Sequence, residues 1–432
     1  MIENIVKIND LNKYVGETVK IAGWLYNMRS SGKIYFLLVR DGTGIVQCVS
    51  VKNESPEELF QKIDTLTQES SIIVTGSVRV DSRSPGGHEI SLKDIEVIQV
   101  AENYPIALKS HGIDFLLDLR HLWIRSPRQN AILRIRADVE QGIRDFLNNN
   151  GFVLVDAPII TGSAPEGAGS LFELDYFDKK AYLSQSGQLY EEAAIFSFEK
   201  VYSFGPTFRS EKSKTRRHLT EFWMVEPEMA FCDLYESMKI QEELVAYLVN
   251  RVLHNFKNEL NFLNRDIKLL ENIKLPFPKI KYREILDFLN KKGRDKKWGD
   301  DITGLDETII SEEFDQPVFI THLPITSTPF YMKPDPEDPE VVLAADLIAP
   351  EGYGEIIGGS QRIDDLSVLL NRIKEFSLKE TDYSWYIDLR KYGSVPHSGF
   401  GMGIERFVAW ITHTEHVRET IPFPRTIDRV YP

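Results

Sequence analysis

The sequence predicts an α+β protein in two parts: a small N-terminal β-barrel of the OB type, then a larger domain mixing helices with sheet. Three observations carry this. Residues 1–100 hold three strand-like runs, one helical stretch and two more strand-like runs, the element order of an OB-fold, with another small β-barrel as the alternative. Residues 130–432 mix long helical periodicities with β-rich runs,. Between them, 101–129 is rich in charge and carries Pro105 and Pro127, and it reads as a hinge. With 432 residues, 42% of them hydrophobic, the chain can bury a sizeable core in more than one domain,.

In order, "TVKIAGWLYNMRSSGKIYFLLVRDGTGIVQCVSV" (18–51) gives three strands split at "SSGK" and "DGTG", the second a hairpin signal,. "SPEELFQKIDTLTQ" (55–68) reads as a helix with Ser55 as its cap and Pro56 in the first turn,. "SSIIVTGSVRVDS" and "HEISLKDIEVIQV" are the last two barrel strands. Beyond the hinge, Ile132, Ile135, Val139, Ile143, Phe146 and Leu147 recur at helical spacing until "NNNG" stops them, and the strand "FVLVDAPII" follows,. A second long amphipathic helix is expected from about 233 to 262, then strands at "PVFITHLPI", "VVLAADLIA" and "GEIIGGSQR" alternating with helices.

The net charge of −14 argues against a general nucleic-acid coat,. Cys48 and Cys232 show no pairing or metal spacing, which suits a reducing cytosol,. The N-terminus has no apolar signal region, and no run approaches the roughly 18 apolar residues of a membrane span,.

Against that acidity, Arg209, Lys212, Lys214, Arg216, Arg217 and His218 crowd into one turn between two strand-like runs. Alternation places Thr207, Arg209 and Glu211 on one face of the first strand and Phe222, Met224, Glu226 and Glu228 on one face of the second,. A charged sheet face under a cationic loop suits a triphosphate, because Arg binds phosphate bidentately and an aromatic stacks on a base; a solvated, salt-bridged hairpin is the alternative. In "SGFGMGIERFVAWI" (398–411), Gly399, Gly401 and Gly403 precede a helix with Arg406 in its first turn. Ile404 stands where a dinucleotide loop needs its third glycine, so these glycines are expected to admit a ligand close to the backbone. Asp346 and Glu355 stand in strand-like, largely apolar stretches ahead of Arg362. Paired carboxylates of this kind hold Mg²⁺ beside phosphates, or else pair with the arginine.

Together these stretches resemble the class II aminoacyl-tRNA synthetases, in the aspartate, asparagine and lysine subgroup. The likeness covers nearly the whole chain. The helix and strand ending at Pro158 look like motif 1, "FRSE…RHLTEF" like motif 2 and "GMGIERF" like motif 3. It implies an OB anticodon-binding domain at 1–100, a hinge at 101–129, and an antiparallel-sheet class II catalytic domain at 130–432. "RHLTEFWMVEPEMAF", "GEIIGGSQR", "PHSGFGMGIERF" and "IPFPRT" look like the asparagine-specific branch. Where aspartyl relatives carry a Lys after "QLY", this chain has Glu191 and then Glu192.

The implied activity is ATP-dependent activation of L-asparagine to asparaginyl-AMP and its transfer to the 3′-terminal adenosine of tRNA(Asn). A cytoplasmic homodimer without membrane association, using Mg²⁺ with its ATP, goes with it. By resemblance Arg209, Glu211 and Arg406 are the catalytic set. Arg209 holds the α-phosphate and substrate carboxylate, Glu211 reads the adenine edge, and Phe222 and Arg406 sandwich the base. Arg217 and His218 reach the γ-phosphate, Leu219 lines the nucleotide site, and Glu355 with Asp346 holds Mg²⁺. Glu166, Gln188 and Glu226 collect the substrate ammonium and Ser186 lines its pocket. Glu192 accepts from the carboxamide NH₂ while Arg362 donates to the amide oxygen. In the barrel, Arg29, Phe36, Gln47 and Glu89 match anticodon-reading positions. Gly358 stands where aspartyl relatives carry a Ser/Thr that helps hold the metal.

Replacing Arg209 with Ala is expected to cut asparagine-dependent ATP–pyrophosphate exchange by about 100-fold or more, the scale of losing one preorganised charge contact. Exchange close to wild type would contradict the role given to this arginine.

Overall fold

The computed structural model describes residues 5–162 and 171–432. The chain divides into two compact units, Met1–His111 and Gly112–Pro432. In the first, β1 (Thr18–Ser31), β2 (Ile34–Arg40), β3 (Ile45–Val51), β4 (Ser71–Val80) and β5 (His88–Gln99) close a barrel in the order β1-β2-β3-β5-β4. Closure comes from the parallel pairing of β3 with β5, with Gln47 opposite Glu89. Alternation sends Leu37, Val39, Val46 and Cys48 into the barrel core and leaves Phe36, Leu38 and Gln47 facing out,. The "DGTG" turn is shaped by Asp41, whose carboxylate accepts from the amides of Thr43 and Gly44 at 2.7 and 3.0 Å,.

The barrel helix Glu57–Asp64 buries Leu59 and Ile63 in the same core. Its expected cap is displaced by one residue. Pro56 precedes the first helical residue and no side chain caps the end, while the Ser55 hydroxyl is bonded to Ser50 Oγ at 3.0 Å. A short 3₁₀ helix, Ile8–Tyr14, was not anticipated; it buries Ile8 and Leu11 against the barrel.

The stretch 101–129 contains two short helices, Ile113–Asp118 and Arg120–Trp123. Both belong to the second unit. Arg120 is buried, donating to the carbonyls of Ile421 and Pro422 and to Gln129 Oε1. Ser126 then caps Pro127–Asn149, accepting from the Gln129 amide, and Pro127 takes the first helical position,. Ile132, Ile135, Val139, Ile143 and Leu147 are fully buried, as their spacing predicts.

The second unit adds β6 (Val153–Leu154), β7 (Ile160–Thr161), β8 (Glu173–Tyr176), β9 (Lys179–Leu183), β10 (Lys200–Phe208), β11 (Glu221–Ala230), β12 (Lys279–Lys281), β13 (Val318–Pro324), β14 (Val341–Ala349), β15 (Gly354–Gln361) and β16 (His397–Gly403). Strands β7-β9-β8 form a small sheet, and an eight-stranded sheet runs β12-β13-β14-β15-β16-β11-β10-β6. Its described pairings are antiparallel except at the two edges, β6 with β10 and β12 with β13. Helices Pro127–Asn149, Leu234–Asn255 and Ile404–Thr412 cover one face. There Ile135, Val139, Leu244, Leu248, Phe407 and Trp410 pack on Val225 and Met229.

The second long helix is shorter than expected. An Asp233/Glu236 capping box starts it, but Phe256 leaves helical backbone at φ −131° and packs against the core, and a separate helix Lys257–Phe262 follows,. The opposite face of the sheet carries the site.

Candidate functional site

Hairpin β10–β11 supplies the centre. Tyr202, Phe204, Val225 and Met229 point into the helical core, so alternation turns Phe222, Met224, Glu226 and Glu228 to the opposite face,. Three cavities share walls there, of about 110, 170 and 800 Å³. Glu355 lines all three.

The smallest cavity brings together Arg209, Glu211, Leu219, Phe222 and Arg406. Arg209 follows β10, and its amide donates to the Thr220 carbonyl at 3.0 Å, extending the hairpin by one pairing. Its guanidinium lies 5.4 Å from the Phe222 ring centre. Arg406 is aimed by its neighbour. Glu405 accepts from Arg136 at 2.7 Å and from the Trp223 amide at 3.1 Å, pinning the helix start to β11. Arg406 then donates to Glu355 O and Oε2 at 3.0 and 3.2 Å. Leu219 is buried and Glu211 exposed at the rim. His218 is bonded through Nδ1 to Thr215 Oγ1 at 2.5 Å, and burial together with Arg406 pushes its imidazole below the usual range.

The second cavity gathers Ser186, Gln188, Arg209, Glu226, Glu228 and Arg362. Glu226 accepts from Ser186 Oγ, and from the Gly187 amide at 2.8 Å. Arg362 grips Glu228 with Nη2 at 2.5 Å and Nε at 3.3 Å, and its Nη1 donates to Ser360 Oγ at 2.7 Å. Burial pushes the Glu228 carboxyl upward against the pull of Arg362.

Glu192, expected to accept from a substrate amide here, is placed elsewhere. It is fully buried, and its carboxylate is taken by Gln188 at 2.9 Å, Tyr386 at 2.7 Å, Arg390 at 2.5 Å and His397 at 3.0 Å. Burial opposes its charge, but Arg390 and His397 hold it below the usual carboxylate range. Among the described residues the carboxylate beside Arg362 is Glu228, which alternation had set on this face without a role. Glu191 is buried with no hydrogen-bond partner at either oxygen among the described residues. Burial, with Glu226, Glu228 and Asp156 nearby, pushes it up to about 9.

The expected close approach to a ligand at the alternate glycines has another cause at two of them. A Cβ on Gly399 would meet Glu228 Oε1 at 2.0 Å, and one on Gly401 would meet Met224 Cε at 2.4 Å. The glycines make room for the side chains that wall the cavities.

The largest cavity joins Arg217 and His218 to Asp301, Glu307, Asp346 and Glu355. Asp346 lies beside Gly358 across β14–β15. Burial, then Glu355, Glu307 and Asp301, push its carboxyl well above the ordinary value. A Cβ on Gly358 would lie 2.9 Å from Glu355 Oε1 and 3.4 Å from Asp346 Oδ1, so the two carboxylates converge over that glycine. No group of three such ligands able to hold a metal occurs among the described residues. Two carboxylates completed by substrate phosphates and water fit Mg²⁺. Glu166 lies outside the described residues.

On the barrel's outer surface Arg29 lies 4.6 Å from the ring centre of Phe36, its register partner. Gln47 donates to Glu89 at 3.1 Å. The four predicted positions therefore lie on the outer surface of strands β1, β2, β3 and β5, two adjacent pairs.

Comparison with known proteins bears on both units. The family of class II tRNA synthetases (D, K and N) matches residues 112–427, and OB-fold nucleic acid binding domains match 19–98. The asparagine–tRNA ligase of Desulforamulus reducens is 60% identical over 98% of this chain and 99% of its own length. That of Pelotomaculum thermopropionicum is 58% identical over 99% of each. The crystal structure of asparaginyl-tRNA synthetase from Pyrococcus horikoshii, complexed with asparaginyl-adenylate, superposes with a TM-score of 0.96 at 50% identity, covering 100% of both chains.

The buried Glu191 also sets a pH dependence. Glu191 loses its proton near pH ~4.3 in the unfolded chain but only at about 9 when folded. Between these values the unfolded state binds fewer protons, so this group's contribution to stability is full below the lower value and is lost as pH rises through the upper. Glu191→Gln is expected to melt with the wild type at pH 4 and to be more stable at pH 8 by at least about 1 kcal/mol, the worth of roughly one pKa unit. Melting curves that coincide at both pH values would contradict this.

Proposed function

This chain belongs to the class II tRNA synthetases of the D, K and N group, and from that premise we propose that it is an asparagine–tRNA ligase. The observation that carries the choice of amino acid is the Glu228–Arg362 pair on the wall of the second cavity. A carboxamide set against that pair donates its NH₂ to Glu228 and accepts at its oxygen from Arg362. Aspartate would bring a second carboxylate against Glu228 and is repelled. A site built on such polar pairing rejects a mismatched analogue by roughly 10⁴-fold. Glu226, with Ser186 and Gln188 beside it, takes the ammonium group, and Glu166 is assigned there by resemblance alone.

ATP occupies the first and third cavities, its base between Phe222 and Arg406 with Leu219 at the wall and Glu211 at the adenine edge. Arg209 faces both the first and second cavities, where it holds the asparagine carboxylate and the α-phosphate together. The carboxylate attacks the phosphorus in line, the bond to the bridging oxygen breaks, and pyrophosphate leaves with that electron pair. No general base is required, because the attacking oxygen is already ionised; positioning and charge stabilisation do the work. Arg217 and His218 stand at the outer phosphates. Glu355 and Asp346 would hold Mg²⁺, which neutralises phosphate charge when bound. The acyl group then passes to the 3′-OH of the terminal adenosine of tRNA(Asn), whose anticodon meets Arg29, Phe36, Gln47 and Glu89.

The protein works as a homodimer in the cytosol. Supporting this, β6 ends the large sheet, and Val153, Leu154, Ile159 and Ile160 around it are each more than 40% exposed. Among the described residues no helix is long and apolar enough to cross a membrane.

The test is ATP–pyrophosphate exchange with asparagine and aspartate in parallel, followed by charging of bulk tRNA. Exchange with asparagine and formation of asparaginyl-tRNA are expected. Exchange supported by aspartate alone would contradict the assignment.

A further inference from the structure

Arg217 is not free at the phosphate groove. Its Nη1 donates to Glu307 Oε2 at 2.8 Å and to the Gly304 carbonyl at 2.9 Å; its Nη2 donates to Thr308 Oγ1 at 2.7 Å and to the Gly352 carbonyl at 2.5 Å. Each terminal nitrogen thus has two acceptors, matching the two protons it carries. Three of the four acceptors come from the first turns of one helix, Gly304–Ser311, fixed at its start by a Thr303/Asp306 capping box. No sequence motif marked this helix.

Glu307 does more than hold Arg217. The same Oε2 accepts from the Glu355 backbone amide at 3.0 Å, while the carbonyl of that residue accepts from Arg406 at 3.0 Å. One residue, Glu355, therefore ties Glu307 and Arg217 on one side to Arg406 on the other. The contact is close-fitting: a Cβ on Gly354 would fall 2.1 Å from Glu307 Oε2 and 2.6 Å from Arg217 Nη1. Arg217 and Arg406 line the same two cavities. Two like charges converging on one groove repel until an anion arrives, and Glu307 pairs directly with one of them.

We propose that Glu307 is a positioning residue for ATP, holding Arg217 in register with Arg406 across the phosphate groove through the Glu355 backbone. The inference rests on the reading of Arg217 as a phosphate-facing residue of the synthetase. Arg217 then acts as a fixed cation, its side chain ordered before substrate binds, so less freedom is lost on binding. The carboxylate of Glu307 is already engaged by Arg217 and by the Glu355 amide, and its effect on ATP passes through Arg217.

The experiment compares wild type, E307A, E307Q, R217A and the E307A/R217A double variant in ATP–pyrophosphate exchange, varying ATP and asparagine separately. Loss of a partner held by direct contact should raise the ATP KM of E307A at least about 10-fold with the asparagine KM within about twofold, and the double variant should match R217A alone, because contacting residues are not additive. E307Q keeps shape and one neutral acceptor, and should raise the ATP KM by about threefold or more; it serves as the test if E307A does not fold. An ATP KM near wild type in E307A or E307Q overturns the proposal, as does a double variant whose losses multiply. Absence of asparagine-dependent exchange in the wild type would instead remove the functional reading, and the proposal with it.

Discussion

A carboxylate taken out of water must be paired, protonated, or left for a ligand to neutralise. Much of the catalytic unit is organised around that constraint. Four glutamates lie close together between helix Gln188–Phe198 and strand β11, and each meets it differently. Glu192 is paired with Arg390 and His397. Glu191, with no partner among the described residues, keeps its proton to about 9. Glu228 shares Arg362. Glu226 accepts from the Ser186 hydroxyl and the Gly187 amide. On the proposed reading the pocket is charged for a neutral side chain carrying a cationic amine, and selectivity follows from what the protein must already do to bury these groups.

The sheet supplies the rest of the constraint. Strand β16 runs beside β11 and β15, and its glycines are needed because Glu228 and Met224 cross over it. Removing side chains from one strand lets the neighbouring strand's side chains lie flat and line cavities. On the nucleotide side, Gly354 and Gly358 do the same for Glu307 and for the Asp346–Glu355 pair. Opposite them, the buried Arg136–Glu405 pair anchors the helix that carries Arg406. Arginines reach the groove from the loop joining β10 to β11 and from helix Ile404–Thr412.

Much of this was legible in the sequence where periodicity or turn chemistry is local. The barrel strands, the helix Pro127–Asn149 and the two faces of the β10–β11 hairpin all follow from alternation and spacing. Glu192 is drawn away from the cavity by Tyr386, Arg390 and His397, which lie 194, 198 and 205 positions away, so no local pattern could place it. Alternation on β11 had placed Glu228 on the charged face, and its partnership with Arg362, 134 positions away, could not be read from local pattern. Glu307 was invisible for the same reason, since its partners Arg217 and Glu355 come from distant strands and loops. The displaced cap at Ser55 and the break at Phe256 are end effects, where a single residue's packing outweighs propensity.

On the proposed reading, selection of the carboxamide rests on the charge of Glu228 beside Arg362. Its most direct test is the ratio of asparagine to aspartate activation by Glu228→Gln at pH 8, measured by ATP–pyrophosphate exchange. Losing the negative partner leaves Arg362 open to a carboxylate, so the preference for asparagine should fall by about 100-fold or more, the scale of one charge contact, with aspartate activation becoming measurable. A variant that activates asparagine and still rejects aspartate as strongly as the wild type would contradict the account.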